Sequence, residues 1–245
     1  MDERIGSHHY AVGRPAARPR RARSEKARDP YDGLRPWSAI THGVGAVLGA
    51  LGTALLLQRV LERNGGAAAF AAFLLYGLSM IGLYTASTLY HCLRTGVRGR
   101  IALRKYDHIS IYFLIAGSYT PICALMLPQD GGIPMLAAIW TAALAGTVLS
   151  VAWISAPRWL TSAIYLLMGW MALFLLPSLL RHMPAEGMFW LVLGGVLYTV
   201  GGVLYAVKWP GRDNPRFGCH EIFHVFILLG SIAHFFLMYR VVAFQ

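Results

Sequence analysis

The chain has 245 residues, with 22 Lys+Arg against 11 Asp+Glu and a formal net charge of +11; it is 56% hydrophobic and only 13% charged. A soluble domain carries roughly 25% charged residues, and here 14 of the 33 charges crowd into the first 36 positions, leaving 19 for the other 209. So sparse a charge on the body excludes a surface wetted all round, and the composition is that of a polytopic membrane protein with a basic arm.

That arm, residues 1–36, holds nine Lys+Arg, among them Arg18, Arg20, Arg21 and Arg23, and no apolar run. A cleavable signal needs an apolar segment behind its charges, whereas polar Ser24-Glu25-Lys26 follows here. The arm reads as a disordered cytoplasmic tail lying against anionic lipid headgroups, not as a nucleic-acid-binding segment. Three cysteines, Cys92, Cys123 and Cys219, make no disulfide framework.

Apolar runs of about 20 residues predict seven spans, at 37–60, 66–91, 107–127, 133–155, 159–180, 186–207 and 217–242. The connections are short, so residues 37–245 form one membrane domain. With the N-terminus inside, 18 Lys+Arg fall on the cytoplasmic side and 4 outside, the asymmetry expected of a cytoplasmic N-terminus and an external C-terminus. The predicted fold is an all-α bundle of seven transmembrane helices. Gly45 and Gly49, and the pairs Gly194-Gly195 and Gly201-Gly202, are expected on packing faces. Trp37, Trp159, Trp190 and Trp209 are expected as interfacial anchors.

Ionisable groups at membrane depth are costly and mark function. Outside the tail and loops the acids are Asp107 and Glu221, and the histidines are His42, His91, His108, His220, His224 and His234. The end of span 2 carries Ser87 and His91, the start of span 3 carries Asp107, and the start of span 7 carries His220 and His224. All five fall at a similar depth near the inner face. Four residues advance about 400° and about 6 Å along a helix, so Ser87/His91 and His220/His224 each share a face.

Two imidazoles one turn apart, joined by a third from another helix, make a three-histidine site with one open position, the geometry of catalytic zinc. His91, His220 and His224 are the candidate ligands. Asp107 is the candidate base, and Ser87 either orients the water or stabilises charge on a substrate carbonyl. His220-Glu221-Ile222-Phe223-His224 also spells H-E-x-x-H, in which Glu serves zinc metalloproteases as base; no peptide-binding domain accompanies it. His234 is expected to bond a neighbouring helix, and His108 to turn away from Asp107. His42 sits at the right depth and stays open between ligand and packing. Cys92 and Cys219 are expected as small buried residues.

Ser87-Thr88-Leu89-Tyr90-His91, Lys105-Tyr106-Asp107-His108, Ala116-Gly117-Ser118-Tyr119-Thr120-Pro121 and the His220–His224 pentapeptide with His234, together with Thr41-His42-Gly43, resemble the haemolysin III family. That family is the bacterial branch of the progestin and adipoQ receptor superfamily. The resemblance spans residues 37–242. It implies a seven-helix bundle in the bacterial plasma membrane, zinc held by His91, His220 and His224, and Asp107 and Ser87 beside the bound water. Ceramidase-like relatives imply hydrolysis of a lipid amide, with a membrane lipid as substrate or ligand. The alternative is a pore-forming, membrane-homeostasis or sensor protein with structural zinc. Family members often carry an acid before Thr-His-Gly, where this chain has Arg35-Pro36-Trp37.

Overall fold

The computed structural model describes residues 34–153, 155–211 and 217–244. The tail expected over 1–36 lies outside them as far as residue 33, as do Arg212 and Arg216 of the last connection. Among the described residues seven helices are long and apolar enough to cross a bilayer. They are α1 Pro36–Glu62, α2 Ala67–Cys92, α3 Val97–Met126, α4 Pro128–Ala152, α5 Trp159–His182, α6 Ala185–Val207 and α7 Cys219–Phe244. No strand occurs among the described residues.

The helices close into a ring. α1 packs on α2 and α7, α2 on α3, α3 on α4 and α5, α5 on α6, and α6 on α7. α3 is the most enclosed, with 61% of its apolar stretch buried against 17–44% for the other six.

α1 shows how lipid inverts the usual helix pattern. Its buried face begins with the small or polar Ser38, His42, Gly45, Gly49, Gly52 and Thr53 and reaches apolar Leu56 and Val60 only at its end. Ile40, Val44, Val47, Leu51 and Leu55 are exposed. Lipid tails are as apolar as leucine, so association rests on close backbone approach at small residues and on polar contacts. Gly45 is such a point: a Cβ there would come within 2.5 Å of the Tyr84 ring of α2. On α6 the expected glycine face divides. Gly194 and Gly201 meet His234 and Phe226 of α7, whereas nothing lies within 4 Å of a Cβ at Gly195.

Polar contacts cross the interior where backbone or hydroxyl groups need partners that lipid cannot supply. Tyr84 Oη donates to Ser231 Oγ at 2.7 Å, and Tyr198 Oη lies 2.9 Å from the same oxygen, so α2, α6 and α7 meet at one serine. α5 breaks into a tighter helix at Met171–Leu175. The Tyr119 hydroxyl lies 2.9 and 2.7 Å from the carbonyls of Met168 and Gly169 there and accepts from the Ala172 N–H at 2.8 Å.

α3 begins at Val97, ten residues before the expected start of its span. The stretch holding Arg98, Arg100, Arg104 and Lys105 is helix rather than loop. Arginine and lysine are good helix formers, and the Arg100 guanidinium sits 4.1 Å over the Tyr90 ring while donating to the Tyr90 carbonyl. Asp107 therefore lies in the third turn of α3 instead of at its tip. Trp37, Trp159 and Trp209 stand exposed near span ends, whereas Trp190 stacks on Phe236 at 5.0 Å.

Candidate metal centre

α7 begins at a cap that its own sequence supplies. Glu221, at the third helical position, accepts from the Gly218 N–H through Oε2 at 2.9 Å and so caps the first turn. The same turn carries His220, and the next carries His224 on the same face. His91 reaches them from the last turn of α2, and all three imidazoles are buried. One nitrogen from each ring lies within 4.8 Å of the others.

The geometry suits a metal ion. Nε2 of His91 and Nε2 of His220 lie 3.0 Å apart; tetrahedral metal–imidazole bonds of about 2.0–2.1 Å place ligand nitrogens about 3.3 Å apart. Nδ1 of His224 lies 3.3 Å from the Ser38 carbonyl. A carbonyl only accepts, so the proton sits on Nδ1 and Nε2 keeps its lone pair, the arrangement by which outer groups orient a metal-binding histidine. The three buried histidines can therefore hold one metal ion.

The other expected residues are distributed around this trio. Ser87, one turn before His91, is buried, and its Oγ has no hydrogen-bond partner among the described residues. Asp107 has 16% of its side chain exposed and is not among the three groups whose ligand atoms converge. His42 is buried with its ring stacked on that of His224. His108, expected to turn away, instead brings Nδ1 to 3.7 Å from Asp107 Oδ2. His234 packs on α6 opposite Gly194 and bonds the Leu191 backbone, as expected of a helix–helix contact. Cys219 is buried, but Cys92 is exposed, since α2 ends there and no helix covers it.

Sequence reasoning missed the surroundings of Glu221. Its Oε1 takes both the Arg35 guanidinium, in a buried ion pair, and the Ser38 hydroxyl at 3.0 Å. With Oε2 held by the helix N-terminus, the carboxylate is committed to α1 and to its own cap. The H-E-x-x-H string thus supplies two histidines placed where a metal ion could be held, and an acid with a structural role. The signal was present as Arg35, the last cation of the arm, immediately before the first span, and an acid at a capping position of the last.

Comparison with known proteins follows the same residues. The profile of the haemolysin-III-related family matches residues 36–235. The chain is 34% identical over 200 residues to Hemolysin-3 of Bacillus cereus, covering 81% of this chain and 87% of the relative. It is 36% identical over 200 residues to the Hemolysin-3 homolog of Bacillus subtilis (strain 168), covering 81% and 90%. More distantly, it is 25% identical over 173 residues to the human monocyte to macrophage differentiation factor, covering 68% of each. The match runs from the first turn of α1 into α7 and takes in every histidine of the buried cluster, so this multi-pass membrane protein belongs to the haemolysin-III-related family.

Proposed function

We propose that this protein is a zinc-dependent membrane hydrolase acting on a lipid amide or a chemically similar membrane lipid. The observation that carries the proposal is a buried three-histidine cluster, closed to bulk solvent, with the unpartnered Ser87 hydroxyl on the same helix face one turn away. A structural zinc site fills its fourth position with protein. His42 is stacked flat on a ligand, and Glu221 is engaged elsewhere, so that position is left for a substrate.

Zinc, the usual partner of three imidazoles, supplies Lewis acidity and lowers the pKa of water when bound. The chain's own groups do the rest. Asp107 is assigned the role of accepting a proton at its carboxylate. Ser87 Oγ donates to the developing oxyanion of the substrate carbonyl. The Ser38 carbonyl holds the Nδ1 proton of His224 and so keeps that ring aimed. Ser87 is not assigned as nucleophile, because His91 as a ligand has no lone pair left to act as its base. The excess of Lys+Arg on the side of the site supports a cytoplasmic N-terminus and a substrate drawn laterally from the inner leaflet. The basic tail is assigned to anionic headgroups.

The decisive experiment measures zinc content and hydrolysis of a panel of lipid amides with purified wild type and His220→Ala. The variant should lose both together; turnover that survives without zinc would remove the mechanism. The name of the Bacillus cereus relative, Hemolysin-3, favours a second reading, a pore-forming or membrane-homeostasis protein with structural zinc. Ion flux in proteoliposomes without any lipid turnover, from the same preparation, would establish that reading instead.

A further inference from the structure

The first turn of α1 grips the histidine cluster from outside. The Arg35 N–H donates to the His91 carbonyl at 3.0 Å. The Arg35 guanidinium pairs with Glu221, and Ser38 Oγ donates to the same carboxylate at 3.0 Å. The Ser38 carbonyl meets Nδ1 of His224 at 3.3 Å. These contacts join one turn to the end of α2 that carries His91 and to the start of α7 that carries His220 and His224.

Burial makes the grip stiff. The side chains of the ion pair are 9% and 2% exposed, so the pair is little screened. A buried pair that loses one member leaves an uncompensated charge, unlike a pair on the surface. Glu221 stands next to one candidate ligand and three residues from the other, so movement of its carboxylate carries the first turn of α7 with it.

On this geometry we infer that Arg35 is a positioning residue for the metal centre. Acting through Glu221 and assisted by Ser38, it sets where α7 stands against α2 and keeps the His224 ring in the tautomer that faces an ion. The inference rests on the metal reading above and adds to it a residue outside the ligand set. Arg35 touches neither ion nor substrate; its effect is on the shape of the site and on how tightly a metal is held.

The test uses the full chain, purified in detergent, loaded in turn with Zn²⁺ and Co²⁺. Affinity is measured by competition with a chromophoric chelator, and the visible Co²⁺ band reports ligand geometry. Arg35→Ala should weaken binding of both ions about 10–100-fold, the range for loss of an outer-shell partner, and should shift or weaken the Co²⁺ band in monodisperse protein. Arg35→Lys, which keeps the charge, should return affinity to within a few-fold of wild type. Ser38→Ala removes only the hydroxyl and should give a smaller loss in the same direction. A folded Arg35→Ala with wild-type affinity and spectrum overturns the inference, as does one that is merely less stable to heat with an unchanged Co²⁺ band. Should Arg35→Ala fail to fold, Ser38→Ala decides, and wild-type affinity and spectrum in that variant overturn the inference. A wild type that binds neither ion overturns the metal reading itself, and this inference with it.

Discussion

His42 lies flat against His224, with ring centroids 3.6 Å apart and planes tilted by only 10°. The lone pairs of an imidazole lie in its ring plane, so stacked parallel rings aim them side by side and not at one point. His91, His220 and His224 meet at tilts of 44–72° and can converge. The fourth histidine is therefore a buttress for His224. His42→Phe, which keeps a flat ring in place, should retain bound zinc with affinity within a few-fold of wild type. His224→Phe should lose the metal. Elemental analysis of the two purified variants checks both outcomes.

Asp107 stands outside the set of nitrogens that converge. Asp107→Asn should purify with the same metal content as wild type, while lipid-amide turnover falls about 10²–10⁴-fold, the contribution typical of a positioned acid–base group. Paired metal and rate measurements make the distinction; a metal-free variant would make Asp107 a ligand.

A metal ion shared by His91, His220 and His224 would tie the end of α2 to the start of α7. Ligands that bind only the folded state stabilise it by mass action, about 2.7 kcal/mol at a free concentration 100 times the dissociation constant. Thermal unfolding in detergent should therefore move to higher temperature with added zinc and to lower temperature with a chelator. His220→Ala should respond to neither.

Two glycines four residues apart should behave differently. A Cβ at Gly45 would approach the Tyr84 ring to 2.5 Å, whereas at Gly49 the nearest atoms lie at 3.6 Å, ordinary contact. Gly45→Ala should destabilise by about 1–3 kcal/mol, as overpacking does, and Gly49→Ala should be close to neutral. Unfolding midpoints of the two variants, compared in one detergent, test the difference.

The spans and the trio were legible in sequence because each rests on short-range regularity. Hydropathy over twenty residues marks a helix in lipid, and a spacing of four puts His220 and His224 on one face whatever surrounds them. The start of α3 was not legible. Arg98, Arg100, Arg104 and Lys105 read as a loop by charge, yet they are helix formers, and Arg100 is held by Tyr90. The stacking of His42 and the Arg35–Glu221 pair depend on how α1 leans on α7, a distance of 186 residues along the chain for the ion pair. No local pattern encodes it. Cys92 differed from expectation for a similar reason, since its exposure follows from where α2 stops.

The hydroxyls of Tyr84 and Tyr198 converge on Ser231, which makes α2, α6 and α7 a single mechanical unit. In hydrocarbon no water stands ready to replace a broken partner, so sliding any of the three past the others would strand a donor. Any rearrangement of the bundle would then fall first to α4, which the ring places beside α3 and α5 only, while α2, α6 and α7 stay put as its fulcrum.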